Sequence, residues 1–441
     1  MYARPTYRLA IILALLVAGG CLPEVDEEGE DVGLLEDTTA PTPDTGTKSG
    51  VDWYESQPID LTGRVRNTAG APVEGATVEL QRTGGTNASA ATGPDGQFAF
   101  EGLARRNGVL VVDAAGHRPA RVPVWLRRSV DDRRATVDPI LLSPTAAADA
   151  RLLFTGDVSL GRRFFDPEDG GPRDRVPEPH PEAIIDTSDP TPDVKGILRY
   201  IKPRLSMADY TAINLETVVT DEPDTPFEAK RFIFFSLPGS LPAIEGAGVD
   251  YAGLGNNHLW DYKNEGVAET IASIEQTTDI AYSGAGMNET EAYAAHRTEV
   301  GGAKFGLLSM CSIIGYSQPR TYAALADKPG IADLNDTDRV EEAIQGELDA
   351  GHTPIAILHT GIEYVESPIP VTHDRFEMAA DAGAPLVIGH HPHVAQGFEW
   401  RDGSFIAHSL GNLAFDQQRL ETLRGLLAQV EIDRKSTRLN S

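Results

Sequence analysis

Short apolar runs alternate with amphipathic segments from Arg151 onward, and this alternation restricts the possible folds more than any other feature of the chain. The runs have the length of buried strands. Between them, apolar residues recur on one helical face, as Val267, Ile271 and Ile274 do. This pattern predicts an α/β domain. The predicted strands are residues 152–155, 211–215, 251–254, 305–310, 354–358, 386–388 and 405–409, and the predicted helices include 266–277, 338–349 and 373–382.

Polar motifs rich in Asp, Glu, Asn and His follow these predicted strands directly. The strand ends on one edge of an α/β sheet form the ligand crevice, so the motifs are expected to converge in space. Each motif alone is also typical of an ordinary turn or polar loop, but five of the 11 histidines fall within them. Carboxylates combined with imidazoles favour a divalent-metal site over an accidental pattern. The motifs are Gly156-Asp157, Asn214-Leu215-Glu216, Gly255-Asn256-Asn257-His258, His359-Thr360-Gly361-Ile362-Glu363, Gly389-His390-His391-Pro392-His393 and Ser409-Leu410-Gly411-Asn412.

The order of these motifs over residues 151–417 resembles the CapA family of capsule-synthesis proteins. That family is associated with poly-gamma-glutamate and is distantly related to calcineurin-like metallophosphoesterases. The resemblance implies a metallophosphoesterase-like α/β sandwich over residues 151–433. It also implies a surface role with an anionic capsule polymer or with other capsule-synthesis proteins.

The same resemblance implies one or two bound divalent ions, with manganese, iron and zinc as the candidates, and it assigns their ligands. Asp157 and His393 would hold the first ion, Glu216 would bridge both, and the second ion would be held by Asn257, His359 and His391.

Four further side chains receive supporting roles from the resemblance. His258 would lie near the substrate as an acid or a charge stabiliser, and Arg162 would bind an anionic group. Glu363 would orient His359, and Asn412 would likewise support a ligand.

Two departures from the phosphoesterase pattern leave the reaction open. The first motif reads Asp157-Val158-Ser159 and lacks the usual His, and Glu216 stands where the phosphoesterases have the shorter Asp. Three functions therefore remain: action on a capsule polymer, metallophosphoesterase activity outside the cytoplasm, and a non-catalytic scaffold that binds polymer.

Residues 59–143 form a separate predicted domain. Short apolar runs there are separated by turn residues, as in Pro94-Asp95-Gly96, which predicts a small β-sandwich. The phrases Gly75-Ala76-Thr77-Val78 and Thr92-Gly93-Pro94-Asp95-Gly96 resemble carboxypeptidase-regulatory-like domains, an immunoglobulin-like and usually non-catalytic family.

The N-terminal segment predicts export and lipid anchoring. Arg4 and Arg8 precede the apolar run 9–17, which is too short to span a bilayer, so residues 1–20 read as a signal peptide. Small residues before Cys21 resemble a lipobox with Cys21 as the lipidated residue; the alternative is an ordinary secretory signal. Residues 21–58 are acidic and rich in Pro and Thr, which predicts an extended tether.

The overall charge argues against one class of partner. A formal net charge of -28 repels nucleic acid, whose phosphates require Lys and Arg. At the other end of the chain, residues 434–441 abandon the apolar pattern, and we expect them to be a non-native tail.

Overall fold

A computed structural model describes residues 8–17, 58–67, 69–82, 87–106, 108–124, 126, 133–137, 139–145, 150–168, 171–315 and 321–433. The chain divides into two compact units. One comprises Met1–Gly19 with Ala148–Ser441, and the other comprises Gly20–Ala147. Cys21, residues 21–57 of the predicted tether and the predicted tail lie outside the described residues, so these predictions are not tested by the structure, while Pro58 already belongs to a strand.

The smaller unit is a β structure in its described part, as predicted. Alternate residues of its strands are buried, for example Val78 and Leu80, which is the period-two pattern of a half-buried strand. Gly96 turns the chain with φ 76°, and a Cβ there would lie 2.3 Å from the carbonyl oxygen of Val65. The strands are β2 (Pro58–Asn67), β3 (Thr77–Gln81), β4 (Ala88–Ala91), β5 (Gln97–Ala104), β6 (Gly108–Asp113), β7 (Ala120–Val124), β8 (Arg134–Thr136) and β9 (Ile140–Leu142), in sheets ordered β5-β2-β8, with β9 also on β2, and β4-β3-β6-β7.

The larger unit is a mixed α/β structure with two main sheets. The strands are β1 (Arg8–Val17), β10 (Ala150–Val158), β11 (Tyr210–Leu215), β12 (Val218–Val219), β13 (Phe235–Ser236), β14 (Tyr251–Gly253), β15 (Ala281–Ser283), β16 (Ala285–Gly286), β17 (His296–Val300), β18 (Ala303–Cys311), β19 (Gly330–Ile331), β20 (Thr353–His359), β21 (Leu386–His390), β22 (Phe398–Arg401), β23 (Ser404–Ala407), β24 (Asn412–Ala414) and β25 (Arg424–Asp433). The first sheet runs in the order β1-β25-β10-β11-β14-β15 with β24 beside β10, and the second runs β17-β18-β20-β21-β23-β22.

Helices cover the outer face of each sheet. The helices are α1 (Pro190–Leu198), α2 (Lys202–Leu205), α3 (Leu241–Gly246), α4 (Lys263–Thr277), α5 (Glu289–Ala292), α6 (Thr337–Asp349) and α7 (Pro370–Asp381). Val267 of α4 packs in one core beside the first sheet, and Phe376 of α7 packs in another beside the second. None of the helices in the described residues is long and apolar enough to cross a membrane.

The two main sheets share a third core. Phe154 of β10 and Val430 of β25 belong to the same buried cluster as Phe305 of β18 and Ile357 of β20. Because alternate residues of a strand face opposite sides, Leu153 lies instead in the core on the helix side. The unit therefore has four layers in the order helix, sheet, sheet, helix.

Arg8–Val17, which includes the apolar run of the predicted signal peptide, pairs antiparallel with β25. This pairing does not test whether residues 1–20 are removed, and that processing stays a prediction.

Parallel strands bring the predicted motifs to one edge. β10, β11 and β14 run parallel, and in their register Asp157 lies opposite Asn214. In the second sheet β20 and β21 are parallel, with His359 opposite His390. The polar residues at these carboxyl ends line a common site.

Candidate metal centre

Glu216 lies at the middle of this site, directly after β11. It is fully buried, and neither of its carboxylate oxygens has a hydrogen-bond partner among the described residues. Its Oε1 lies 3.4 Å from Nε2 of His359, 3.7 Å from Nε2 of His393 and 3.9 Å from Nε2 of His258. Burial raises the pKa of Glu216 well above its usual value. A buried carboxylate without partners is unfavourable, and a bound cation would remove that cost.

His359, His391 and Asn257 surround one side of Glu216. Nε2 of His359 lies 2.7 Å from Oδ1 of Asn257 and 3.1 Å from Nδ1 of His391. Nδ1 of His359 lies 3.3 Å from the Asn214 amide, so Asn214 fixes the orientation of the ring. Glu216, His359 and His391 could hold one metal ion together.

Asp157 and His393 lie on the other side of Glu216, and these three residues form a second possible ligand group. Nδ1 of His393 lies 2.9 Å from Oδ1 of Asn412 and 3.3 Å from Oδ2 of Asp157. A proton on Nδ1 directed at Asn412 leaves the Nε2 lone pair facing Glu216, where it could bind a metal. Glu216 thus belongs to both ligand groups.

Asp157 is also held by residues that the sequence did not assign. Its Oδ1 accepts a hydrogen bond from the side-chain amide of Asn214 at 2.9 Å and lies 2.9 Å from Nδ1 of His390. Burial favours the neutral acid, but the contacts with His390 and His393 hold the pKa of Asp157 well below its usual value. His390, on β21, therefore contacts Asp157. The motif of Asp157 itself lacks the His that is usual in the phosphoesterases.

The electrostatics of the site suit a divalent cation. Burial lowers the pKa of His359 and His391, which keeps their rings neutral and their lone pairs available. Burial also opposes protonation of His393, but Glu216 and Asp157 raise its pKa to about 9. The carboxylates thus attract a positive charge into the site. Imidazole nitrogen with carboxylate and amide oxygen fits zinc, iron or manganese.

The backbone at two of these histidines is unusual. His391 has φ 98° and His393 has φ 58°, both in the region that residues with a Cβ rarely adopt. Holding such conformations costs of order 1–3 kcal/mol each, and they cluster at functional sites. The His-Pro-His segment is therefore folded to place its rings, at a cost to local stability.

His258 belongs to a hydrogen-bonded group that the sequence only partly revealed. Nδ1 of His258 lies 2.6 Å from Oδ2 of Asp261, and Nζ of Lys230 donates to Oδ1 of Asp261 at 2.6 Å. Lys230 also donates to the backbone carbonyl of Asn257 at 2.8 Å. The ring of His258 stacks on Phe234 with centroids 3.7 Å apart. Asp261 lies three residues after His258, a spacing that could have identified it, but Lys230 carries no such signal.

Arg162 and Glu363 were also predicted to serve the site. The guanidinium of Arg162 lies 4.8 Å from the centroid of Phe234, on which His258 stacks, and its Nε lies 3.4 Å from Asp416. Glu363 was expected to orient His359, but the ring of His359 contacts Asn214 and Asn257 instead. The negative charge of Glu363 acts on Glu216 and His393, whose pKa values it raises.

Comparisons with known proteins follow the same division of the chain. Residues 151–417 match the family described as bacterial capsule synthesis protein PGA_cap, and residues 60–138 match the carboxypeptidase regulatory-like domain. The capsule biosynthesis protein CapA of Bacillus anthracis is 29% identical over 244 residues, which are 54% of this chain and 57% of that protein.

Two further relatives show similar coverage. The PGA biosynthesis protein CapA of Bacillus subtilis (strain 168) is 25% identical over 245 residues, 55% of this chain and 62% of that protein. A probable polyglutamine synthesis accessory protein of Mycobacterium tuberculosis is 24% identical over 217 residues, 48% of this chain and 56% of that protein. The alignments therefore leave more than a third of each relative unmatched.

Proposed function

Because this chain belongs to the bacterial capsule synthesis protein family PGA_cap, we propose that it acts in the synthesis or handling of an anionic capsule polymer through the metal centre around Glu216. The names of its relatives point to a polymer of the poly-gamma-glutamate type. The observation that carries the proposal is the buried, unpartnered carboxylate of Glu216, which belongs to both ligand groups.

The proposed centre divides its residues between holding metal and acting on substrate. Asp157, Glu216 and His393 would hold one ion, and Glu216, Asn257, His359 and His391 would hold the other. A divalent ion bound there supplies Lewis acidity, which polarises a carbonyl or phosphoryl group and acidifies bound water. The protein's own groups bind the substrate and move its protons.

His258 is the residue proposed to move a proton. Burial lowers its pKa well below the usual value, so the ring is neutral, and a proton on Nδ1 would be donated to Asp261. Nε2, which lies 3.9 Å from Glu216, then offers a lone pair toward the centre. A neutral imidazole oriented by a carboxylate can accept and return a proton during the reaction.

Cationic side chains near His258 would offset the acidity of the protein as a whole. Arg162 and Arg231 both lie over the ring of Phe232, at 5.6 and 5.0 Å from its centroid. Lys230 directly precedes Arg231 in the chain and is partly exposed. A local group of positive charges allows a polyanion to approach a protein whose formal net charge is -28.

A metallophosphoesterase acting outside the cytoplasm is the second candidate function. The four layers and the carboxylate shared by two ligand groups favour it, since paired ions stabilise the oxygens of a phosphoryl displacement. The missing His after Asp157 and the longer side chain of Glu216 argue against it. A scaffold that binds polymer without catalysis is the third possibility.

Complementation separates these functions. In a strain lacking this protein, the wild-type chain and a His391→Ala variant would be compared for capsule polymer, and the purified proteins for metal content and turnover of a chromogenic phosphate ester. Restored polymer with wild type alone supports the proposal. Equal restoration by a metal-depleted variant favours the scaffold, and metal-dependent ester turnover without an effect on polymer favours the phosphoesterase.

The proposal includes export and lipid anchoring at Cys21. It rests on the sequence pattern of Arg4, Arg8, the apolar run 9–17 and the small residues before Cys21. Anchoring would place the centre at the cell surface, on the membrane side of the capsule.

A further inference from the structure

His373, Glu399 and His408 form a second group of possible metal ligands, away from the residues of the centre around Glu216. His373 lies on α7, Glu399 lies on β22, and His408 directly follows β23. Nε2 of His373 is 3.0 Å from Oε1 of Glu399, and Nε2 of His408 is 3.6 Å from the same oxygen. All three ligand atoms lie within 4.8 Å of one another.

Ordinary hydrogen bonding does not explain this group. Oε1 of Glu399 and Nδ1 of His408 are buried and lack hydrogen-bond partners within the described part of the chain. Oε1 is therefore close to two imidazole nitrogens without the alignment that a hydrogen bond requires. Oε1 of Glu399 is the buried, unpartnered atom that faces both imidazoles, and a buried carboxylate oxygen without a partner is costly in the absence of a ligand.

A neighbouring carboxylate shows the contrast. Glu377 lies 3.8 Å from Nδ1 of His373, but Glu377 is already paired with Arg401, which also pairs with Asp381. Arg401 thus pairs with both Glu377 and Asp381, whereas the ion-pair contacts of Glu399 in the described residues are with the imidazoles of His373 and His408.

We propose that His373, Glu399 and His408 bind a divalent cation of the zinc type. Zinc holds imidazole nitrogen and carboxylate oxygen at about 2.0–2.1 Å in tetrahedral geometry, which separates neighbouring ligand atoms by about 3.3 Å. The observed separations of 3.0 and 3.6 Å bracket that value. The side chains of His373 and Glu399 are about one third exposed, so water can occupy the remaining position.

The role of an ion at His373, Glu399 and His408 would be structural. It would join α7 to the hairpin of β22 and β23. His408 also precedes the segment that carries Asn412, and the backbone N–H of Leu410 donates to the carbonyl of Gly389, next to His390. An ion bound by His408 would therefore stabilise both the segment that carries Asn412 and the segment that carries His390, and both segments contribute to the centre around Glu216.

The test measures zinc in the full chain after equilibrium dialysis. His373→Ala and Glu399→Gln each remove one ligand at a partly exposed position, so neither should prevent folding. His352→Ala is the matched control, because His352 also faces a carboxylate, Glu347, at 3.5 Å but belongs to none of the three-ligand groups in the described residues. Both variants should lose about one zinc per chain, and the control should lose none.

Two further measurements distinguish this site from the centre around Glu216. One replaces zinc with cobalt, and the other combines His373→Ala with His391→Ala. The absorption of tetrahedral cobalt should decrease in both variants, and the zinc lost through His373→Ala should add to that lost through His391→Ala because the sites are separate. Wild-type zinc content and cobalt absorption in both His373→Ala and Glu399→Gln would overturn the proposal. If His391→Ala alone loses zinc, the centre around Glu216 is supported and the site at His373, Glu399 and His408 is contradicted.

Discussion

Nε2 of His359 lies 3.1 Å from Nδ1 of His391 inside the larger unit. Burial keeps both rings neutral by lowering their pKa values, so a single hydrogen atom can lie between these two nitrogens. A metal ion could take the place of that hydrogen and bind both nitrogens, with Glu216 as its anionic ligand.

We predict that His391→Ala and His359→Ala each lower the bound divalent metal by about one ion per chain while the protein remains folded. Each substitution removes an imidazole ligand from the same group. Elemental analysis of monomeric protein, with circular dichroism as the check on folding, measures the effect against the His352→Ala control. Full metal content in both variants would contradict the assignment of a metal centre around Glu216. A scaffold that binds polymer without catalysis would then be the favoured function.

Glu216→Gln should have the larger effect, because its carboxylate belongs to both ligand groups. Binding at 100 times the dissociation constant stabilises a folded protein by about 2.7 kcal/mol, so a chelator should lower the Tm of the wild type by several degrees. The shift should shrink in Glu216→Gln, whose amide is a weak ligand. A wild-type chelator shift in this variant would show that Glu216 does not hold metal.

The strand ends of the larger unit were predictable from sequence because each apolar run is followed by a polar motif. Residues 152–155 lie within β10, and residues 354–358 lie within β20. β17 and β22 were missed: their alternate residues are exposed, so they lack the continuous apolar run of a strand that is buried on both faces.

The contacts that orient the proposed ligands were harder to predict from sequence than the ligands themselves. The family resemblance implied Glu363 as the partner of His359. Asn214, however, lies opposite Asp157 in the register of β10 and β11, and its side-chain amide contacts both Asp157 and His359. Lys230 comes from a loop without a motif. Such pairings depend on register and loop path, which local pattern does not determine.

Deletion of residues 59–143 should leave the larger unit folded and able to bind metal. The strands of the smaller unit pair with one another in sheets of their own, and the metal ligands all lie in the larger unit. Cooperative unfolding and metal content of the shortened chain measure this. Loss of metal on deletion would mean that the smaller unit completes the centre.

Cys21→Ser should release the mature protein from the membrane fraction. Acyl chains on the cysteine would provide anchoring that the short apolar run cannot, at about 0.8 kcal/mol for each buried CH₂ group. Cell fractionation followed by immunoblotting, with a high-salt wash, measures the distribution. A Ser variant that stays with membranes through that wash would contradict lipidation at Cys21. Leu22 follows the cysteine, so in a cell with two membranes we expect the wild type in the outer one.

His258 and Asp261 should behave differently from the metal ligands. In Asp261→Asn the amide can donate to Nδ1 of His258, so the proton moves to Nε2 and the lone pair toward the centre is lost. Because a positioned acid or base contributes about 10²–10⁴-fold, we expect activity to fall by that order in both Asp261→Asn and His258→Gln while metal content is retained. Polymer formation in the complemented strain and elemental analysis of the same variants provide the two readouts.

Asp250→Asn is the control, since that carboxylate accepts a hydrogen bond from the backbone N–H of Thr211, on a strand rather than in the centre. If metal and activity are lost together in His258→Gln, then His258 acts as a ligand, and the proton-transfer role passes to another group.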